Sequence, residues 1–293
     1  MSDIPVTMSA NYFNAAVDLI EGNLQAGREK KIAYIDDKQS YTFEDLSNLV
    51  DRAANSLKRI GLASEQRVLL CMFDDITLPV AFLGAIKAGI VPILTNTMLT
   101  RADYHYMLSD SRARVAIVSK GLMKSFKEFD TEISTLDTIV VADGEKNSLR
   151  GLMDNETGES TKAADTVADE PCFWLYSSGS TGAPKGTIHA HGSLRPTAEL
   201  YAKQTLQITQ DDIVFSAAKL FFAYGLGNAL TFPLSVGATT ILMADRPTPE
   251  SVLKRLKEHE PTLFFGVPTL YAGLLENEDF SRYKPKRLRL SVS

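Results

Sequence analysis

The stretch Tyr176-Ser177-Ser178-Gly179-Ser180-Thr181-Gly182-Ala183-Pro184-Lys185-Gly186 is the part of this sequence best suited to chemistry. Three glycines, three serines and a threonine in eleven residues cannot build a packed core. They allow the backbone to come close to a ligand and offer N–H and hydroxyl donors to an oxyanion. Lys185 adds a positive charge suited to a polyphosphate, and Pro184 restricts the backbone just before it. The apolar run 172–176 reads as a strand that brings the loop to the carboxyl edge of a sheet, where α/β proteins bind ligands. A Gly/Ser linker fits less well, because it follows a buried strand directly and carries Pro-Lys-Gly. A GxxxxGK[ST] loop counted from Gly179 meets Pro184 where glycine is needed and Gly186 where Ser or Thr is needed. No GxGxxG is present, since Gly225-Leu226-Gly227 continues as Asn228-Ala229-Leu230.

A second segment runs Lys219-Leu220-Phe221-Phe222-Ala223-Tyr224-Gly225-Leu226-Gly227-Asn228. Two phenylalanines and a tyrosine beside small residues could line a flat apolar slot with a polar tip. The same composition also describes a core stretch entering a helix. Gly266-Val267-Pro268-Thr269 reads as a strand-to-helix turn in which Thr269 could cap the helix.

The elements that must position these segments alternate along the chain. Residues 11–26 space Phe13, Val17, Ile20 and Leu24 for an amphipathic helix, and 32–35 form a short strand. Thr42 can cap a helix reaching about residue 60, with Asp45 complementing its positive end. Strands are expected at 67–73, 91–95, 115–119, 138–142, 173–176, 213–217, 239–243, 262–265 and 288–292. Helices are expected at 78–88, 104–110, 193–204, 248–259 and 269–275. Short β-branched runs separated by helical periods predict an α/β protein with parallel strands and helices on the sheet faces. Residues 143–170 are rich in Asp and Glu and read as a polar, mobile connection between two subdomains. A chain that stops within or just after a strand at 288–292 reads as truncated.

The whole chain has 293 residues, 44% hydrophobic and 23% charged, with a net charge of −5. This is ordinary globular composition, and the mild acidic balance argues against general nucleic-acid binding. Cys71 and Cys172 lie in apolar runs and read as reduced core thiols, which suits a cytoplasmic protein. Residues 1–11 lack the features of a signal peptide, and no run of 18 apolar residues suggests a membrane span. His105 and His259 sit in helical patterns and read as surface residues.

The run 176–186 closely resembles the signature loop of the adenylate-forming superfamily, which includes acyl- and aryl-CoA synthetases, luciferases and peptide-synthetase adenylation domains. That pattern is an aromatic residue, Thr/Ser-Ser-Gly-Thr/Ser-Thr-Gly-x-Pro-Lys-Gly, then a histidine, here His189 or His191. The resemblance implies that Ser177, Ser178, Gly179, Ser180, Thr181, Gly182 and Lys185 hold the outer phosphates of ATP while a carboxylate attacks the α-phosphorus. Over 173–248 the chain is similar to benzoate–CoA and 4-hydroxybenzoate–CoA ligases, in which Ala-Tyr-Gly contributes to the aryl pocket. Phe222, Ala223, Tyr224 and Gly225 are therefore expected to bind the acid, with His191 either touching the acyl site or supporting the loop.

The implied cofactors are ATP, Mg²⁺ and coenzyme A, and the implied partner is a small aromatic carboxylate; a homodimer is compatible with the resemblance. The resemblance covers residues 11–293 but only the front part of the family. Its adenine, ribose and magnesium motifs, its hinge and its C-terminal lid with the catalytic lysine would follow Ser293. No catalytic or metal-binding residue is assigned within the chain, and Lys185 is not given that role. The expected fold is an incomplete large N-terminal domain with two parallel-rich sheets and flanking helices, its subdomains at about 11–142 and 171–293, without the lid. The expected activity is ATP-dependent activation of an aromatic acid, with this chain alone inactive. Alternatives are a different acid, such as a fatty acid, an amino acid or a cinnamate, and a non-catalytic remnant.

Overall fold

A computed structural model describes residues 11–156, 160–177 and 183–293. Its strands are β1 (Ile32–Ile35), β2 (Ser40–Thr42), β3 (Arg67–Cys71), β4 (Val91–Leu94), β5 (Val115–Val118), β6 (Thr138–Val141), β7 (Pro171–Ser177), β8 (Lys185–Ala190), β9 (Ile213–Ser216), β10 (Thr239–Ile241), β11 (Leu263–Phe265) and β12 (Leu290–Val292). They form two six-stranded sheets, in the orders β12-β11-β9-β10-β1-β2 and β6-β5-β3-β4-β7-β8. Among the described residues only the terminal pairs β1–β2 and β7–β8 are antiparallel; every other pairing is parallel. The expectation of an α/β fold with two parallel-rich sheets is met.

The sheets do not divide where the acidic stretch suggested. β1 pairs with β10, matching Tyr34 to Thr240, while β7 pairs with β4, matching Trp174 to Ile93. Each half of the chain thus lends two strands to the other half's sheet, and the expected boundary at 143–170 separates no pair of subdomains. Register between distant strands is set by burial and hydrogen bonding across the finished sheet, which no local pattern encodes.

Three helices lie between the sheets: α1 (Ala15–Gln25), α2 (Phe43–Arg59) and α3 (Thr77–Lys87). Asn14 caps α1 through Oδ1. At α2, Thr42 Oγ1 accepts from Asp45 N–H at 3.1 Å while the Asp45 carboxylate accepts from Thr42 N–H at 2.9 Å, which satisfies orphan donors of the first turn. Every residue of α3 is buried. Gly84 makes this possible, because a Cβ there would stand 2.7 Å from Ala53 Cβ, so α2 and α3 touch backbone to backbone. One apolar cluster joins these helices to Ala33 and Tyr34 of one sheet and to Val68, Leu70 and Ile117 of the other. The alternate residues Leu69, Cys71, Ala116 and Val118 face an outer cluster with Tyr104 and Phe126, as the period-2 geometry of strands requires. Both cysteines are free and buried.

The described part of the acidic stretch is stitched down rather than loose. Leu149 and Met153 are buried in the short helix Leu149–Asp154. Thr161 Oγ1 donates to Asn55 Oδ1 at 2.7 Å, and Thr166 Oγ1 donates to Phe13 O at 2.8 Å. The composition concealed this because two apolar side chains and two hydroxyls suffice to fix the segment. No helix among the described residues is long and apolar enough to cross a membrane.

Candidate active site

The two segments singled out by the sequence both lie at the carboxyl ends of strands. β7 is parallel to β4 and carries Tyr176 and Ser177 to the carboxyl edge of its sheet; β8 returns from there, with Ser177 opposite Lys185. Ser178, Gly179, Ser180, Thr181 and Gly182 lie outside the described residues. Ser177 and Lys185 are both exposed at the mouth of this hairpin. Tyr176 donates its hydroxyl to Asp110 Oδ2 at 2.7 Å, and burial, with that carboxylate, pushes its phenol well above the ordinary range. Gly186 lies against the rings of Trp174 and Tyr176, where a Cβ would come within 3.0 Å and 3.4 Å, so the hairpin closes flat on its aromatics.

From the other sheet, β9 runs into Ala217, Ala218 and Lys219, and the short helix Ala223–Leu226 follows. A cavity of about 590 Å³ lies where the carboxyl ends of the two sheets meet. Met72, Phe73 and Asp74 enter it from beyond β3, Met98 from beyond β4, Lys219 and Phe222 from beyond β9, Arg246 from beyond β10, and Val267 and Thr269 from beyond β11. Thr269 does not cap its helix: the helix begins at Pro268, which places Thr269 inside the first turn and on the cavity wall.

Of the residues expected to bind the acid, Phe222 lines this cavity. Ala223 is exposed next to it. Tyr224 lies edge-on to Phe265, with ring centroids 6.2 Å apart, and donates its hydroxyl to Val292 O at 3.1 Å. Gly225 is packed on the preceding loop, where a Cβ would stand 2.0 Å from Lys219 O and 2.5 Å from Ala218 O.

His191 is not brought to this group. It follows β8, six residues past Lys185, and a strand rises about 3.4 Å per residue, so it sits roughly 20 Å away at the opposite sheet edge. There its Nδ1 accepts from Ala15 N–H at 3.1 Å, and burial lowers its pKa to about 4. His189, on β8, stacks on Phe173 with centroids 4.5 Å apart and has its pKa lowered by burial. A slightly larger cavity of about 630 Å³ opens at the amino edges of β3, β4 and β7, but none of the expected site residues among the described ones lines it.

Two polar groups in the carboxyl-edge cavity were not picked out from the sequence. Asp74 is 5% exposed; its Oδ2 accepts from Leu220 N–H at 3.0 Å, and its Oδ1 has no partner among the described residues. Burial raises its pKa to about 6, against the pull of Lys219. The Lys219 ammonium donates to the carbonyls of Met243, of Ala244 at 3.3 Å and of Asp245 at 2.7 Å. Burial lowers the Lys219 pKa, while Asp74 acts in the opposite sense. The signal available in sequence was a carboxylate pair, Asp74-Asp75, directly after a wholly apolar strand end.

A family model for AMP-binding enzymes matches residues 23–293. The chain belongs to the AMP-binding enzyme family. It is 55% identical over 284 residues to benzoate–CoA ligase of Thauera aromatica, covering 96% of this chain and 54% of that protein. It is 45% identical to the 4-hydroxybenzoate–CoA/benzoate–CoA ligase of Rhodopseudomonas palustris, over 96% of this chain and 52% of that one. A solved benzoate CoA ligase from Burkholderia xenovorans LB400 matches with a TM-score of 0.84 at 49% identity, covering 92% of this chain and 53% of that one. The chain spans about half the length of these AMP-binding relatives.

Proposed function

We propose that this chain supplies the phosphate-binding and acid-binding half of an aryl-CoA ligase of the benzoate or 4-hydroxybenzoate type. The observation that carries the reading is that Ser177 and Lys185 stand opposite each other at the carboxyl edge of one sheet, while the Lys219–Gly225 segment follows a carboxyl end of the other sheet, at a cavity that both sheets line. High identity to two ligases named for benzoate supports the substrate class.

In this proposal ATP lays its outer phosphates in the loop of residues 177–185. Ser177 and Lys185 fit that ligand, as an exposed hydroxyl and an exposed cation set opposite each other on β7 and β8. An aromatic carboxylate lies along Phe222, Ala223 and Tyr224. One of its oxygens attacks the α-phosphorus and pyrophosphate leaves; the thiol of coenzyme A then attacks the acyl carbon and AMP leaves. Mg²⁺ neutralises phosphate charge when bound with ATP. The chain's own part is to orient the attack and offset negative charge, the two terms that dominate phosphoryl chemistry. Residues 1–293 alone do not complete this cycle, and we read the protein as cytoplasmic.

The test joins residues 1–293 to the remaining half of the Thauera aromatica relative and follows pyrophosphate release and acyl-CoA formation. Benzoate or 4-hydroxybenzoate should support both, and octanoate should be a poor substrate. A clear octanoate preference, or a folded fusion that binds ATP but activates no aromatic acid, would overturn the reading. Pyrophosphate release above background from residues 1–293 alone would overturn the claim that they are insufficient.

A further inference from the structure

The residue that ties the two sheets together at the cavity is one to which the resemblance assigns no role. Asp74 leaves the end of β3 and crosses to the other sheet, where its Oδ2 holds the N–H of Leu220. The Leu220 N–H shares one peptide unit with the Lys219 carbonyl, and the acid-binding segment rests on that carbonyl. Gly225 packs so closely on the Ala218 and Lys219 carbonyls that not even a methyl group fits between. A shift of residues 218–220 therefore moves Ala223–Gly225 with it, since a close-packed contact transmits displacement. Lys219 is fixed from its other side by the three carbonyls that follow β10, and the Asp74 charge offsets its burial. β3 lies beside β4, and β4 beside β7, so Asp74 stands two strands from the phosphate-loop hairpin in the same sheet.

We infer that Asp74 is a positioning residue that fixes the acid-binding segment of one sheet against the end of β3 in the other, the sheet that carries Ser177 and Lys185. The inference rests on the proposed ligase reading. Asp74 acts through Leu220 and Lys219. Its effect falls on the alignment of carboxylate and α-phosphorus, and so on kcat, rather than on the affinity for either substrate.

Two variants separate geometry from charge. Asp74→Asn keeps an oxygen acceptor for Leu220 N–H, whereas Asp74→Ala removes it. In the fusion protein, Asp74→Ala should lower kcat for acyl-adenylate formation on the order of tenfold or more, because small misplacements are costly in an in-line attack. Its KM for ATP and for benzoate should stay within about twofold, and Asp74→Asn should recover most of the rate. Asp51→Ala removes another buried acid, paired with Lys87 at 2.5 Å between α2 and α3, and should lower stability without changing kcat per folded molecule. Amide exchange in the 293-residue chain gives a readout free of the reaction. Asp74→Ala should speed exchange across 219–225, and Asp74→Asn should not.

An unchanged kcat in Asp74→Ala, a loss confined to KM, or an Asn variant as impaired as the Ala variant would overturn the inference. If the unmutated fusion activates no aromatic acid, the ligase reading fails on its own. The exchange pattern then decides the positioning role, with unchanged exchange across 219–225 rejecting it.

Discussion

Tyr224 and Tyr271 donate their hydroxyls to the same acceptor, the carbonyl oxygen of Val292, at 3.1 Å and 3.0 Å. Gly266 N–H reaches that oxygen as well, at 3.0 Å. A carbonyl offers two lone pairs, so three donors share it and each bond is individually dispensable. Removing either hydroxyl should cost less than the usual ~1 kcal/mol, while removing both should cost more than the sum. Urea denaturation of Tyr224→Phe, Tyr271→Phe and the double variant measures this; strict additivity would rule out the shared acceptor. Because the Tyr224 hydroxyl is engaged within the protein, its ring is the part left for an acid, and Tyr224→Phe should leave aromatic preference intact in the fusion.

Gly225→Ala should be among the most damaging small substitutions in the chain. Its methyl would meet two backbone carbonyls rather than a movable side chain, so the loop or the helix must shift. A loss on the order of 3 kcal/mol is expected, in the range of overpacked cores. Aromatic-acid activation in the fusion should fall further than stability does. A variant with unaltered melting temperature and activity would show that the helix start can slide freely.

The pH dependence of stability should carry the mark of Asp74. Its carboxyl titrates near 3.8 in the unfolded chain and, through burial, at about 6 in the folded one. Between those values the folded state keeps a proton that the unfolded chain has lost, so stability falls as pH rises through about 4 to 6. The shift corresponds to roughly 3 kcal/mol once Asp74 is fully ionised. Asp74→Asn should remove that slope and be the more stable protein at pH 7. Parallel melting curves across the window test it, and identical slopes would place the carboxyl's titration elsewhere.

His191 should behave in the opposite sense. Its imidazole is held neutral by burial, with a pKa of about 4 against an ordinary 6.5. As pH falls through that interval the unfolded chain gains a proton that the folded protein refuses, and stability declines. His191→Ala leaves Ala15 N–H without its acceptor and should cost about 1–3 kcal/mol. Aromatic-acid KM in the fusion should not change, and a raised KM would return His191 to the acid site.

Much of this architecture was legible because buried parallel strands announce themselves as apolar runs. Arg67–Cys71, Val91–Leu94 and Val115–Val118 fell within a residue or two of the expected spans. The capping of α2 by Thr42 and Asp45 was equally local. What escaped was everything defined by a partner. β8, Lys-Gly-Thr-Ile-His-Ala, has no apolar run and is a strand only because β7 is beside it. That unseen reversal is also why His191, close to the loop in sequence, ends at the far edge of the sheet. Asp74 escaped for the same reason, since its partner lies 146 residues away.

The interleaving of the sheets bears on how the chain is made. β1 emerges from the ribosome early but must wait for β10, about two hundred residues later, and at about 5–20 residues per second that is tens of seconds. During that interval the hairpin of β1 and β2 has a bare edge and an apolar face, the features that invite wrong partners. Overproduction should therefore yield more folded protein when chaperone supply is raised, whereas slowing translation lengthens that interval and should not help. Expressing the chain as two pieces cut within 143–170 should give neither sheet by itself.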